Sequence, residues 1–401
     1  MTRTGTMRRI ATLLLPALIA LAAVASARSW HVERDGSADY TVIQDAVDAA
    51  ASGDTILIGP GRFNEQQWVT CPGWQDSVRV LVHQYELTLI GSGPATIIGQ
   101  TEPWEMEQGY HKGIVTGDLL GNAVIRVEKI RFENIARGIY TSYESTGADT
   151  VLVRNCEFYA NNIGLSLLGD GGVATVTNCA FDHMARAGYH MTAHRQSSLL
   201  IEDCTLSLWD HHQWPQQHLG IDGVRSARIN DCSFLEGVGG LAISNGTSAF
   251  VERCTFDGQS GTTAAAFSGT TLQFYGCDFM NQHRVASSRS SFAATSFYRC
   301  TLTSVSDVAF FISYAGDFRV NDCDLSGGER GIVWCEDRHD CAEIQTLDFT
   351  RNYWGTADPD SITSLIRDNY DSPEACYIID YEPFESESTP VAKKSFSDVK
   401  N

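Results

Sequence analysis

Lysine is scarce in this chain, with five among 401 residues, whereas acidic residues are abundant. The 49 aspartates and glutamates outnumber the 29 lysines and arginines, which gives a formal net charge of −20 at pH 7. The sequence also lacks the stripe of basic residues with interleaved aromatic residues that is typical of nucleic-acid-binding proteins. We therefore expect no nucleic-acid partner. A bare polyanionic polysaccharide is also disfavoured, unless local arginines or bridging divalent cations reverse the field.

Long apolar runs are absent after residue 24, so no later segment is a candidate membrane span. The first 27 residues contain three arginines, an apolar run at 10–24 and the small residues 25–27, a pattern typical of a cleavable secretion signal. The run of about 15 residues is interrupted by Pro16 and is shorter than the roughly 20 residues that cross a bilayer. We predict a signal peptide at 1–27 and a secreted protein, extracellular or periplasmic. The mature chain would carry a charge of −23, because the signal removes three arginines and no acid.

The remaining chain has the composition of a folded protein, with 43% apolar and 19% charged residues. It contains an internal repeat marked by cysteine. Eight cysteines follow one another at intervals of 23, 25, 28, 22, 23, 23 and 23 residues. They are Cys156, Cys179, Cys204, Cys232, Cys254, Cys277, Cys300 and Cys323.

Each of these cysteines lies in a similar local sequence, such as VRNCEF, VTNCAF and VERCTF. The alternation predicts a strand with cysteine on its inward face, and Ile130 and Asn352 take the cysteine position at the two ends. Most units carry a second short apolar strand, often opened by glycine, as in GLSL from Gly164 and GLAI from Gly240. Such units bury an apolar face only when they stack, so we predict a solenoid of in-register parallel strands.

Both ends of the solenoid are predicted to be covered. Residues 42–51 (VIQDAVDAAA) have the pattern of a short amphipathic capping helix. Residues 361–368 are a second helical candidate, followed by a strand-like segment from Tyr377. We expect one domain at 28–385 and a flexible polar tail at 386–401.

Two segments resemble known families. The stretch DGSADYTVIQDAVDAAASGDTILIGPGRFNE at 35–65 resembles the amino-terminal cap of pectinesterases and related pectin-lyase-like proteins. NYWGTADPDSITSLI from Asn352 resembles the closing coil of secreted bacterial right-handed β-helix repeat proteins. The resemblance implies an all-β, single-stranded right-handed parallel β-helix with coils of ~23 residues and an amino-terminal capping helix. It implies no single activity, since this scaffold carries lyases, hydrolases, esterases and adhesins.

The ladder cysteines are interpreted as small buried apolar residues, although neighbouring rungs leave some disulfides open as an alternative. Cys335 and Cys341 flank a short insertion, CEDRHDC, and we predict a local disulfide between them. Cys71 and Cys376 remain unassigned.

The longest turn follows Cys204, where the loop 207–222 inserts SLWDHHQWPQQHLGID. Loops of this kind carry function more often than core residues, whose side chains are used for packing. Tryptophan rings stack on sugars, and histidine or aspartate bonds hydroxyls or transfers protons. The predicted carbohydrate-binding residues are Trp209, Asp210, His211, His212, Trp214, His218 and Asp222, with His190 from the preceding coil. The alternative is that the tryptophans anchor the loop and the histidines are solvated. No metal site is predicted, because no ligand spacing matches a zinc signature.

The resemblance to pectinesterases also implies positions for catalytic residues. FYRCTLTSVSDVAFFI resembles the nucleophile segment and implies Asp307 as the nucleophile. The preceding coil implies Gln282 as an oxyanion glutamine but has His283 where the acid/base aspartate belongs. Thr263 replaces the other glutamine, and the arginine motif has no counterpart after Asp307. Intact pectinesterase activity is therefore not expected, and Asp307 is interpreted more simply as a turn residue.

Other carbohydrate enzymes have no clear signature here. A pectate lyase would need clustered acids for calcium and a basic residue nearby, for which Asp170, Asp222 and Arg225 are only scattered candidates. The acidic NTD and GDD motifs of polygalacturonases are missing. We predict a β-helix, expected as a monomer, that binds a polysaccharide or cell-surface glycan. A polysaccharide-acting enzyme with a noncanonical site and a structural or adhesive protein remain alternatives. No cofactor is expected, with calcium left open.

Overall fold

The structure is a computed structural model that describes residues 27–71, 74–103, 111–116, 122–141, 149–184, 189–207, 217–338 and 343–388. Within these ranges, the structure does not describe the side chains of residues 70–71, 74–76, 189–190, 289, 291–292 and 315. The predicted signal peptide lies outside the described residues, apart from residue 27, and so does the tail from 389. Among the residues described, no helix is long and apolar enough to cross a membrane.

Each coil contributes one strand to each of three parallel sheets, which we name I, II and III in the order in which the chain visits them. Because the same positions of successive coils pair in register, every inward residue lies over its counterpart one coil away. The prediction of a stacked parallel solenoid is confirmed.

Sheet I precedes the cysteine ladder. Its strands are Ser29–Val32, Asp54–Ile58, Glu86–Gly91, Val124–Glu128, Thr150–Arg154, Val173–Thr177, Ser198–Glu202, Ala227–Asn230, Ser248–Glu252, Thr271–Tyr275, the second parts of Arg284–Tyr298 and Phe310–Asn321, Gln345–Asp348 and Tyr377–Asp380.

Sheet II follows the ladder and has ten short strands. They are Gly61–Phe63, Thr96–Gly99, Arg131–Glu133, Glu157–Tyr159, Ala180–Asp182, Thr205–Ser207, Ser233–Leu235, Thr255–Asp257, Asp278–Gln282 and Thr301–Val305.

Sheet III completes each coil. Its strands are Trp74–Val82, Lys112–Thr116, Arg137–Thr141, Ile163–Leu167, Tyr189–His194, Gln217–Asp222, Gly239–Ser244, Thr262–Ala266, the first parts of Arg284–Tyr298 and Phe310–Asn321, Val333–Cys335 and Ile366–Arg367. Gln67–Cys71 pairs antiparallel with the first of them. The two long strands bend from sheet III into sheet I and join both into one 25-stranded hydrogen-bonded sheet.

The cysteine motif is not one continuous strand, as the alternation predicted, but two strands joined at a corner. The residue before each ladder position has left-handed backbone geometry, for example φ 53° at Asn155 and 59° at Gly276. Asparagine, aspartate and glycine tolerate this geometry best. The ten corner residues are Lys129, Asn155, Asn178, Asp203, Asp231, Arg253, Gly276, Arg299, Asp322 and Arg351.

The prediction that the cysteines point inward is confirmed, because all eight are buried and free. The Cys156 thiol donates to the carbonyl of Arg154 at 3.3 Å and to that of Val127, one coil earlier, at 3.6 Å. Asn352 ends the ladder as predicted. Its amide donates to two carbonyls at 2.7 Å, and its oxygen accepts from the backbone N–H of Cys323 at 2.9 Å.

Phenylalanines two residues beyond the ladder positions fill the core beneath sheet II. The rings of Phe132, Phe158 and Phe181 stack at centroid distances of 5.0 and 4.6 Å. Phe234 and Phe256 stack at 4.6 Å in later coils. Aromatic stacking adds to the burial that stabilises each coil on the next.

The amino-terminal cap is confirmed as helix α1, Ile43–Ala49, which buries Ile43, Ala46 and Val47 against the first coil. At the other end the predicted helix is shorter than expected. Helix α2 spans Pro359–Thr363 and buries Ile362. The chain then pairs as strand Ile366–Arg367, because sheet III continues there.

Candidate functional site

The outer face of sheet III carries a continuous row of small side chains. Gly220, Ala242, Ala265 and Ser287 pair in register across four coils. Phe311 and then Trp334 continue the row. At about 4.8 Å per coil, the five steps from Gly220 to Trp334 span roughly 24 Å. We name this strip the groove floor. Gln217 and Arg284 lie on one side of it, and Asp222 and Ser244 lie on the other.

Four aromatic residues stand on the carboxy-terminal part of this face. Trp334 is 40% exposed, and Tyr314 and Phe267 are each 39% exposed. Phe311 lies beside Trp334 in register. We name Phe267, Phe311, Tyr314 and Trp334 the aromatic platform.

Three of the four rings are each covered by a different arginine. The guanidinium of Arg284 lies 4.7 Å from the Phe311 ring centroid. Arg338, from the insertion after Cys335, lies 3.2 Å from the Tyr314 centroid. Arg367 lies 4.5 Å from the Trp334 centroid and also donates to Asp337 at 2.6 Å. Cation–π contacts of this kind hold flat rings in a fixed orientation.

One edge of the groove carries an ion-paired cluster of His283, Arg284 and Asp307. Arg284 donates to the Asp307 carboxylate, and the Nε2 atom of His283 lies 3.6 Å from the same oxygen. Burial opposes ionisation of this carboxyl, but the hydrogen bond and charge of Arg284 outweigh it and hold the pKa of Asp307 below its ordinary value. The cluster therefore presents a carboxylate and an imidazole to the groove.

The opposite edge carries a second polar cluster, formed where His194, Asp222 and Ser244 pair in register across three coils. Ser244 donates to Asp222 at 2.6 Å, the Asn245 amide also donates to it, and His194 Nδ1 lies 3.4 Å away. Burial opposes ionisation here too, but these hydrogen bonds outweigh it and lower the pKa of Asp222. We name these four residues the Asp222 cluster.

The structure places the sequence-predicted residues in different surroundings. Trp209, Asp210, His211, His212 and Trp214 lie outside the described residues, as does the side chain of His190. Gln217, the first described residue after them, begins the sheet III strand that ends at Asp222.

The position of His218 corrects the prediction that this residue binds carbohydrate. It is a buried residue on the inward side of sheet III, where its Nε2 atom lies 2.7 Å from the carbonyl of Glu236. Its ring packs edge-on against Phe234. A glycan on the surface cannot reach it.

Gln282 is also buried and has its amide engaged. It donates to the carbonyl of Phe256 at 2.9 Å and accepts from the hydroxyl of Thr263. The oxyanion role implied by the pectinesterase resemblance is wrong for this side chain, because it faces the core. Asp307 and His283, by contrast, lie together at the surface.

The predicted disulfide between Cys335 and Cys341 is wrong, because Cys335 is a free buried thiol on the inward side of sheet III. Cys341 lies outside the described residues. Cys376 is disulfide-bonded, which the sequence left open. Within the described part of the chain, no three histidine, cysteine, aspartate or glutamate side chains are grouped to hold a metal ion.

Sequence reasoning missed the aromatic platform and its arginines. Phe311 and Trp334 alternate with core residues, which marks them as outward, but Arg284 and Arg367 lie one coil away from the rings that they cover. Only the register between coils brings these residues together. The signal in the sequence was the outward residue of each short strand, whereas the predicted site rested on a lengthened loop.

Comparison with known proteins agrees with this architecture. Residues 215–352 match a family model described as the right handed beta helix region. The chain is a right-handed parallel β-helix. No curated protein sequence matches it.

Three solved β-helix structures illustrate the likeness. A pectin methylesterase from carrot is 13% identical, with a TM-score of 0.38, over 73% of this chain and 87% of that one. Pectate lyase Pel9A is 12% identical, with a TM-score of 0.43, over 94% and 83%. The A-module of the Azotobacter vinelandii mannuronan C-5 epimerase AlgE4 is 11% identical, with a TM-score of 0.35, over 86% and 94%. Function on a shared scaffold depends on the site.

Proposed function

We propose that this β-helix is a secreted polysaccharide-binding protein whose ligand lies along the groove of sheet III. The observation that carries the proposal is the aromatic platform, which presents partly exposed flat rings beside a floor of small side chains. Aromatic faces are apolar surfaces on which the C–H faces of sugar rings stack, and neighbouring polar groups fix the orientation.

The shape of the site favours an extended chain over a compact ligand. The floor forms a single row because in-register coils repeat one residue position, and it spans roughly 24 Å at about 4.8 Å per coil. Successive sugar units of an extended polysaccharide can then meet successive coils. A single small molecule would leave most of the floor uncovered.

The local charge supports a polar, hydroxyl-rich ligand in an otherwise acidic molecule. Arg284 and Arg367 are paired with Asp307 and Asp337, so these pairs add no net charge to the groove. Guanidinium and carboxylate groups supply the donors and acceptors that sugar hydroxyls need. The formal net charge of −20 elsewhere would repel a polyanion from the rest of the surface.

Binding is tested with a glycan array and with polysaccharide affinity gels. Trp334→Ala should weaken binding at least tenfold, because it removes the most exposed ring of the platform. Tyr85→Ala is the matched control, since Tyr85 is 55% exposed but lies in a turn before sheet I. The proposal fails if no glycan is bound, or if the two variants lose affinity equally.

Export is part of the proposal and has its own test. A disulfide at Cys376 suits an oxidising compartment. The signal-like segment at 1–27 should then be removed. Amino-terminal sequencing of the exported protein is expected to start at Arg28. If protein recovered outside the cells still carries residues 1–27, export through this signal is contradicted.

Catalysis on the bound chain is a second candidate, favoured by the 3.6 Å approach of His283 to Asp307 at the groove edge. A carboxylate that holds an imidazole is an arrangement suited to general acid–base chemistry. Release of reducing ends, unsaturated products or ester groups from bound polysaccharide would establish it. His283→Ala should abolish that release while binding stays intact, and the absence of any product across the panel would exclude the candidate.

A further inference from the structure

The groove is closed at its amino-terminal end. Its floor row continues backwards from Gly220 through Thr192 and Ser166 to Tyr140, which pair in register. These three residues are buried although they lie on the outer side of sheet III. Along the floor, Gly220, Ala242 and Ala265 are partly exposed, whereas Ser287 is buried, with 6% of its surface exposed.

The closed end is packed. Tyr140 forms an apolar cluster with Val78, Val115 and Leu168. Lys112 lies 3.9 Å from the Tyr140 ring centroid, and Arg137 lies 4.7 Å from it. A chain that lies along the floor cannot pass this point without displacing the cluster. At the other end the row finishes at Trp334, which is 40% exposed.

The two ends of the groove also differ in chemistry. The Asp222 cluster lies beside Gly220, next to the closed end, whereas the aromatic platform lies towards the Trp334 end. Asp222 and His194 are about one-third exposed, with side-chain values of 33% and 32%. A terminal sugar carries a free hydroxyl where an interior sugar has a glycosidic bond, so it needs an additional hydrogen-bond partner. Carboxylate oxygens accept several such bonds.

We propose that the groove binds the end of a polysaccharide chain, with the terminal sugar at the Asp222 cluster and the following sugars on the aromatic platform. This inference rests on the proposed glycan-binding function. It adds that recognition depends on chain ends and has a direction along the solenoid.

The test compares polysaccharides before and after shortening. β-Glucan, xylan, mannan and pectin are each immobilised intact and after partial depolymerisation, at equal mass. End binding predicts that capture capacity rises in proportion to the number of chain ends. Capacity that follows mass alone overturns the inference but leaves glycan binding in place, whereas an absence of binding to every sample overturns both.

Two variants separate the roles of the two ends. Asp222→Asn should weaken binding of short and long oligosaccharides alike, at least tenfold, because every bound chain has one terminal sugar. Trp334→Ala should weaken only those long enough to reach the Trp334 end, so the gain of affinity with length is lost. Tyr85→Ala should match the wild type. An Asp222→Asn protein with wild-type affinity and an unchanged unfolding midpoint would contradict the assignment. Should that variant fail to fold, the capacity measurement on the wild type still decides.

Discussion

The ladder cysteine is a residue whose surroundings suppress its chemistry. Burial raises the pKa of Cys254, Cys277 and Cys300 well above the ordinary value for a thiol. Their sulfurs bond to main-chain carbonyls, as with Cys277 to Val251 at 3.6 Å. Since the thiolate is the reactive form, these thiols should stay reduced even in an oxidising compartment.

We predict that the nine free thiols of the described chain are unreactive towards Ellman's reagent in the folded protein. They should become titratable when denaturant opens the coils. Labelling before and after unfolding, with mass spectrometry of the tagged peptides, measures this. Rapid stoichiometric labelling of ladder peptides in the native protein would contradict the burial on which the argument depends.

The corner residues show how one position controls the fold locally. A left-handed residue before each ladder position turns the chain sharply from sheet I to sheet II, as at Asn155 and Asp203. The alternation in the sequence continues through the corner, because the residues on both sides of it point inward. A single strand was therefore predicted where the structure has two.

At the scale of elements, the first strand and helix α1 are held by Asp54. Its carboxylate accepts from the backbone N–H of Arg28 at 2.8 Å, from Ala51 N–H at 2.9 Å and from the Trp30 indole at 3.0 Å. Burial opposes ionisation, but these hydrogen bonds outweigh it and hold the pKa of Asp54 below its ordinary value. A depressed pKa means stability that is present above the unfolded value and lost as pH falls through the folded value.

Asp54→Asn should lower the free energy of unfolding by about 1–3 kcal/mol above pH 5, because one oxygen is replaced by a donor that faces other donors. The difference from the wild type should shrink as the pH falls below the unfolded pKa of about 3.9 and disappear as it passes through the lower folded pKa. Urea unfolding across this range measures the effect. Asp45→Asn, which alters an exposed carboxyl on α1, is the control. A difference that stays constant with pH would contradict the linkage.

Helix α2 depends on the residue that precedes it. Asp358 caps it by accepting from the Ser361 N–H at 3.1 Å and from the Ser361 hydroxyl at 2.5 Å. Asp358→Ala should cost about 1 kcal/mol, the usual effect of a lost amino-terminal cap. Asp360→Ala keeps the cap and should cost less. Denaturant midpoints of the two variants decide the comparison, and equal losses would show that the cap contributes nothing.

At the scale of the whole molecule, each coil contacts mainly its neighbours, so the solenoid should tolerate removal of one complete repeat. Deleting residues 255–277 removes 23 residues and joins Cys254 to Asp278. One ladder cysteine is then followed directly by the strand that normally follows the next ladder cysteine. The shortened protein should stay folded, with a smaller dependence of unfolding free energy on denaturant because less surface is buried. Deleting only 255–266 should prevent folding, since it shifts every later inward residue. Equal behaviour of the two deletions would contradict the repeat.

The candidate site could be predicted from the sequence only in part. Asp222 was predicted as a carbohydrate-binding residue, and the resemblance to pectinesterases drew attention to Asp307 and His283. All three lie at the groove edges. His218 was misassigned, because a histidine in an irregular loop gives no indication of the side from which it enters the sheet. The aromatic platform was missed, because its members are separated by whole coils.

The sequence by itself determined the period, the inward ladder from Ile130 to Asn352 and the covered ends, because a stacked core admits only apolar or fully bonded residues at repeated positions. Outward residues carry no such constraint, so their pattern does not reveal their neighbours. The register between coils, the bend at each corner and the buried cluster around Tyr140 decided which of them form one surface. The groove, its arginine-covered rings and its closed end therefore belong to the tertiary structure, since they depend on contacts between residues about one coil apart.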